Sequence, residues 1–259
     1  MFRFLLTRRW LGLLLVVIVL GVTCVELSKW QFHRYYERAD SNQVTHNNLK
    51  AVPLPVDRVL STRTEPGSNN EWRTITASGR YDPFRRVFVL YRTRGGQNGV
   101  DVVVPFVTAS GTAVLVDRGW VRSGSNGNDL PAAPAPPAGT IQITGWVRND
   151  STNSSGQVTP SGGAVRAISA VAIKKTLPYP TYDGFVDVIK ESPSVTPAPA
   201  KVPGPDLSGG PSFFYGIQWI FFALLFFGFW GYFAWTEWKE EVARREASAH
   251  VEESVTVPE

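Results

Sequence analysis

The chain has 259 residues, enough for one core of moderate size plus membrane anchors and short for two large soluble domains. Lys and Arg number 26 against 22 Asp and Glu, a formal net charge of +4, and Cys24 is the one cysteine. That count excludes a disulfide framework, Cys-rich zinc sites, thiol redox chemistry and CxxCH haem attachment.

Residues 1–9 hold Arg3, Arg8 and Arg9 and read as a short basic tail. Residues 10–27 contain one charge, Glu26, and residues 212–235 contain none; each run reads as a transmembrane helix. At about 1.5 Å per residue such runs reach roughly 27 and 35 Å, enough for a hydrocarbon core of about 30 Å. Thr23 fits poorly before a lipoprotein cysteine and no A-x-A pattern follows, so the first helix reads as an uncleaved anchor. There is no Arg- and Ser-rich leader for mitochondrial import ahead of it, and a bacterial plasma membrane is expected. Arg3, Arg8 and Arg9 before the first helix, and Lys239, Arg244 and Arg245 after the second, place both termini in the cytoplasm. Residues 28–211 then face outward. The tail 236–259, with seven Glu against three Lys/Arg, is expected to be acidic and mobile.

The first helix is expected to continue as a stalk through Glu26, Lys29, Trp30, His33, Arg34 and Glu37 and to enter the next domain near Asp40-Ser41-Asn42. Beyond it, Gly, Pro, Ser and Asn separate short β-branched or aromatic runs, which predicts strands at 72–78, 86–92, 100–108, 113–118, 140–147 and 185–189. Residues 87–91 and 102–106 form the clearest hairpin, turning at the Gly95-Gly96 pair, and a second hairpin turns at Ser110-Gly111. A Pro- and Ala-rich loop covers 131–139, and a polar stretch covers 149–163. Ile168, Val171 and Ala172 recur at helical spacing and predict a helix over 165–177. Six prolines in 193–211 predict an extended tether back to the membrane. The expected fold is therefore a membrane protein, with two transmembrane α-helices flanking one extracytoplasmic β-rich domain, a small antiparallel barrel with one short helix.

Residues 29–211 hold 20 Lys/Arg against 14 Asp/Glu. A basic domain facing away from the nucleoid points to anionic headgroups or an acidic protein surface, not to nucleic acid. His33, His46 and His250 are the three histidines and show no metal-ligand spacing or triad pattern, and no Gly-rich phosphate loop precedes a helix, so an enzyme is not indicated. Thirteen of the 23 residues 213–235 are aromatic. Tyr215, Gln218, Trp219, Phe222 and Phe226 share one helical face. That face is either an interfacial belt, with Gln218 bonded to the first helix near Glu26 or Lys29, or a flat surface for a planar ligand or a membrane subunit. Leu115-Val116-Asp117-Arg118-Gly119-Trp120-Val121 places two charges and an indole at the end of a strand. It reads as an Asp117–Arg118 network with a packed Trp120, or as a docking surface.

In order along the chain, Trp30-Gln31-Phe32-His33-Arg34 with Arg38, Gly79-Arg80-Tyr81, Arg92-Thr93-Arg94-Gly95 with Gly99 and Pro105-Phe106, Leu115 to Val121, Gly145-Trp146-Val147-Arg148 and Tyr215-Gly216-Ile217-Gln218-Trp219 resemble the motifs of the Surfeit-one family of cytochrome c oxidase assembly proteins. The resemblance runs from about residue 10 to 238, and the chain looks like a bacterial, actinobacterial member. It implies a respiratory-chain assembly factor or chaperone for the aa3-type oxidase, assisting haem a insertion or stabilising the nascent haem–copper subunit. The alternatives are a permanent accessory subunit of the oxidase and a haem carrier in the strict sense. The implied partners are the haem–copper catalytic subunit, haem a synthase and the lipid bilayer. No cofactor is implied as permanently bound; haem a is handled transiently. Ser212 stands where family members credited with haem binding carry His, three residues before the motif Tyr, and His33 is the nearest substitute. The residues that the motifs mark are Trp30, Gln31, Arg34, Arg92, Arg94, Asp117, Arg118, Gly119, Trp120, Tyr215, Gln218 and Trp219.

Overall fold

A computed structural model describes residues 3–124, 130–151 and 157–255. Part of the polar stretch expected at 149–163 and the end of the C-terminal tail lie outside the described residues. The chain divides into two units, Met1–Ser41 with Ser208–Glu259, and Asn42–Leu207.

The first unit is built on α1 (Arg8–Lys50) as far as Ser41 and on α3 (Ser212–Val255), two helices long and apolar enough to cross a membrane. No proline interrupts either one, and α1 stops shortly before Pro53. The stalk is therefore longer than expected, reaching Lys50 and not ending near Asp40-Ser41-Asn42. The tail is also helical to Val255, where a mobile segment was expected. Glu240–Arg244 and Glu241–Arg245 pairs at 3.6 and 2.6 Å support it one turn apart.

Trp10, Val17, Gly21, Cys24 and Ser28 line the buried stripe of α1 at spacings of seven, four, three and four. Gly216 and Ala223 are the corresponding buried positions on α3. The helices run antiparallel: Trp10 meets Trp230 at 6.1 Å between ring centroids, and Phe32 meets Phe213 at 5.9 Å. Glycine is required where rings cross. A Cβ on Gly21 would sit 2.7 Å from the Phe227 ring, and one on Gly216 2.9 Å from Phe32. The polar contact expected of Gln218 is made by Ser28, whose hydroxyl donates to the Gly216 carbonyl at 2.9 Å. Gln218 itself is exposed, and Glu26 and Lys29 pair with each other at 2.7 Å.

The second unit is sheet-rich. Its strands are β1 (Leu54–Pro55), β2 (Thr74–Tyr81), β3 (Val87–Arg94), β4 (Gln97–Thr108), β5 (Ala113–Arg122), β6 (Ile141–Arg148), β7 (Ala164–Val165) and β8 (Thr181–Ser192). The order is β1-β2-β6-β8-β5-β4-β3-β7, and β2 also pairs with β4. Thus β2, β6, β8, β5 and β4 each have two hydrogen-bonded neighbours within that set. The sheet is mixed, not antiparallel throughout, because β5–β8, β1–β2 and β3–β7 are parallel.

Both expected hairpins form. β3 and β4 join through Gly95 and Gly96 at φ +56 and +74, the two positive values that a tight two-residue reversal needs. β4 and β5 turn at Gly111, φ +83. The runs VVVPF and AVLV are buried on both faces, which explains why they are continuous and not alternating. Val102, Val104, Val114 and Val116 join Ile75, Phe106, Ile143 and Val186 in one core cluster; Val103 and Leu115 point the other way, under Val165, Ile168 and Ile173.

The helix expected over 165–177 is shortened to α2 (Ala170–Ile173) and a 3-10 turn, and Val165 belongs to β7. Capping explains the late start: Ser169 accepts from Ala172 N–H, while the Asp150 carboxylate accepts from Ala170 and Val171 N–H. The proline-rich segment forms no strand, but it is not a free tether, since Ala200 bridges Trp120.

Candidate functional site

The motif residues of β3, β4 and β5 converge because the register places Asp101 opposite Trp120 and Arg92 opposite Gly99. Asp101 is buried, with Arg92 Nε at 3.1 Å and Arg94 Nη2 at 3.0 Å on its two oxygens. Burial pushes its carboxyl above the ordinary range in spite of both cations. The Trp120 indole donates to the Arg92 carbonyl at 2.9 Å and lies flat where a Cβ on Gly99 would stand, 2.2 Å away. Trp120 N–H donates to the Ala200 carbonyl and Ala200 N–H to the Trp120 carbonyl, each at 2.8 Å. Arg94 Nη1 donates to the carbonyls of Ala200 and Lys201 at 3.2 and 2.8 Å.

Asp117 and Arg118 sit within β5, not at its end, and do not pair with each other. The Asp117 carboxylate accepts from Gly119 N–H at 2.8 Å. It is pushed well above the usual range by burial first, then by the nearby Asp101 and Asp187. Arg118, with 0% exposure, holds Glu191 through Nε at 2.8 Å and Nη2 at 3.3 Å and donates to the Pro134 carbonyl at 2.9 Å. Its guanidinium stands 5.4 Å from the Tyr81 ring centroid, and the Tyr81 hydroxyl donates to Glu191 at 2.7 Å. Burial alone would raise Glu191, but bonds from Arg118 and Tyr81, with the charges of Arg118 and Lys201, hold it below its ordinary value. Burial raises the carboxyl of Asp187 to about 6 against the opposing charge and bond of Arg148, 2.9 Å away. Arg148 also reaches Glu71 at 3.3 Å and lies 3.8 Å over the Trp72 ring. Asp117 and Arg118 are both buried, whereas Trp120 and Val121 at the end of the run are half-buried.

The motif residues on the helices are not part of this network. Trp30 is half exposed beneath the Arg34 guanidinium, 5.4 Å from its centroid, and Gln31 is half-buried. Tyr215 is exposed, and Trp219 stacks edge-on to Phe222 at 5.8 Å. His33 is exposed with Glu37 at 3.2 Å, and Ser212 opens α3. A serine hydroxyl is not an ordinary axial ligand for haem, and the exposed imidazole of His33 lies beside a carboxylate of its own helix. Among the described residues no group of three or more His, Cys, Asp or Glu could hold a metal ion.

The sequence model of the SURF1 family matches residues 18–224. The chain belongs to the SURF1 family. Uncharacterized SURF1-like proteins of Mycobacterium bovis and Mycobacterium tuberculosis are 30% identical to it over 261 residues, covering 98% of this chain and 94% of theirs. In this SURF1-family chain the β-domain motif residues share one network: Arg94, Gly119 and Trp120 meet at Ala200, Arg92 and Arg94 hold Asp101, and Arg118 meets Glu191. Glu191, Asp187, Lys201 and Ala200 are network members that sequence reasoning missed, and Tyr81 stood in the Gly79-Arg80-Tyr81 motif without a partner assigned to it. Glu191 follows the apolar run of β8, and only its placement opposite Arg118 marks it.

Proposed function

We propose that this SURF1-family chain is a membrane-bound assembly factor for an aa3-type cytochrome c oxidase, with no reaction chemistry of its own. Membership over residues 18–224 carries this reading. It agrees with the disposition of the polar side chains, since Arg118 and the buried carboxylates of the β-domain are answered by groups of the same domain. In this reading α1 and α3 both cross the bacterial plasma membrane, with both termini cytoplasmic. The exposed residues of α3, among them Phe214, Tyr215, Gln218 and Phe221, face the nascent haem–copper subunit in the bilayer. The second unit lies outside, and its ring of five paired strands is a small closed barrel. Haem a enters as cargo moving between haem a synthase and the catalytic subunit, because Ser212 and His33 supply no axial pair here.

Deleting the gene and measuring the haem a absorption band, oxidase activity and the amount of haem–copper subunit in membranes tests the proposal. Loss of all three, restored by the intact gene, is expected; unchanged membranes would refute it. A permanent accessory subunit would instead be found in stoichiometric amount with mature, purified oxidase, whereas an assembly factor is recovered with incomplete complexes.

A further inference from the structure

Beyond Asp117 the outer edge of β5 is open. β8 runs parallel to β5 as far as the Asp117–Asp187 pair, while its later residues pair with β6. The open edge at Trp120 is taken by one residue of the proline-rich strap, Ala200, through two hydrogen bonds of 2.8 Å. Gly119 makes room for it: at φ +121, a Cβ there would stand 2.2 Å from the Ala200 carbonyl oxygen. Arg94 grips the carbonyls of Ala200 and Lys201, and Lys201 Nζ approaches Glu191 at 3.8 Å. Pro199 is the one buried residue between 193 and 207, and at the far end of the strap Asn42 Nδ2 donates to the Leu207 carbonyl at 3.0 Å. Pro199, Pro203 and Pro205 keep residues 199–205 extended without a ladder of their own, so they need little ordering to seat. The strands of the sheet pair with one another without it.

We propose that the strap is a latch, a segment that leaves the sheet at one point without unfolding it, and that Arg94, Gly119 and Trp120 are its catch. The catch offers one N–H, one carbonyl and the Nη1 donor of Arg94 to a single extended backbone. Its occupant is residues 199–201. Segments attached by few buried contacts open locally, with free energies far below that of the whole domain.

The test uses the full chain in detergent and follows two signals: tryptic cleavage after Lys201, and amide exchange at Trp120 compared with β4 and β6. Cleavage requires the strap to be off, so its rate reads the open population. In the wild type, cleavage after Lys201 and exchange at Trp120 are expected to be insensitive to low urea, while exchange in β4 and β6 accelerates with it. Arg94→Ala should raise the cleavage rate about tenfold or more, with Arg94→Lys between, since a single ammonium nitrogen cannot hold the strap carbonyls and Asp101 from separate nitrogens as Nη1 and Nη2 do. Ala200→Pro lies outside the named strands and acts on the strap alone, removing its N–H donor and fixing its φ. It should also accelerate cleavage, with β4 and β6 unchanged, which separates latch opening from a folding defect of the Arg94 variants. If cleavage after Lys201 follows the same urea dependence as exchange in β4 and β6, the strap leaves only with the sheet and the latch is wrong. If Ala200→Pro and Arg94→Ala both leave the rate unchanged, the catch is wrong.

Discussion

Arg118 has no exposed surface, and its guanidinium is answered by the Glu191 carboxylate, the Pro134 carbonyl and the face of Tyr81. Removing one partner of such a pair leaves a charge buried without compensation. Glu191→Ala is expected to destabilise the β-domain by about 3–5 kcal/mol, read from the urea midpoint, and Glu191→Gln by less because it keeps an acceptor for Arg118. The aspartates make a second prediction. Asp187 titrates near 6 in the folded chain against an ordinary 3.8, and Asp117 and Asp101 are raised in the same direction. A folded value above the unfolded one gives stability that is fully present below the ordinary value and is lost as pH rises through the folded value. The melting temperature should therefore rise as pH is lowered from about 7 to about 5, and Asp187→Asn should flatten that rise. The lowered Glu191 acts oppositely, but its contribution is lost only as pH falls below its ordinary value of 4.5, outside that window.

At the scale of elements, the pairing of α1 with α3 depends on glycine where aromatic rings cross. Gly21→Leu would drive a branched side chain into the space of the Phe227 ring, which already lies 2.7 Å from where a Cβ would stand. Overpacking of this kind typically costs about 1–3 kcal/mol, and it should lower the temperature at which the near-ultraviolet signal of the Trp10–Trp230 contact is lost. Gly12→Ala on the same helix, with nothing within 4 Å, should leave that temperature unchanged. Both long helices were legible because proline-free apolar runs are local. α2 was mistaken for a longer helix because Ile168, Val171 and Ala172 show helical spacing, while the cap that delays its start is Asp150, 20 residues away.

For the whole molecule, protease added outside intact cells is expected to cut within residues 42–207 and to spare epitopes at both ends. The reverse pattern would overturn the orientation read from Arg3, Arg8, Arg9, Lys239, Arg244 and Arg245. Six of the eight strands stand close to where β-branched runs and turn residues put them, with ends moved by a few residues; the two-residue strands β1 and β7 carry no such run. Their order and the parallel pairing of β5 with β8 do not follow from those runs. The motif residues of β3 and β5 meet in one network and those of the two helices stand apart from it, and the partners within the network were not legible: an Asp117–Arg118 network was expected, and the register sends one to Gly119 and the other to Glu191.

The sequence by itself determined the two long helices, the hairpin turns and the family, because each depends on residues that are neighbours or on an ordered set of short motifs. Only the tertiary structure decided that Arg118 meets a carboxylate 73 positions away, that Ala200 closes the edge of β5, and that three aspartates share one buried region. Those contacts follow from strand register, and the periodicity of a single strand carries no record of which other strand it will lie against.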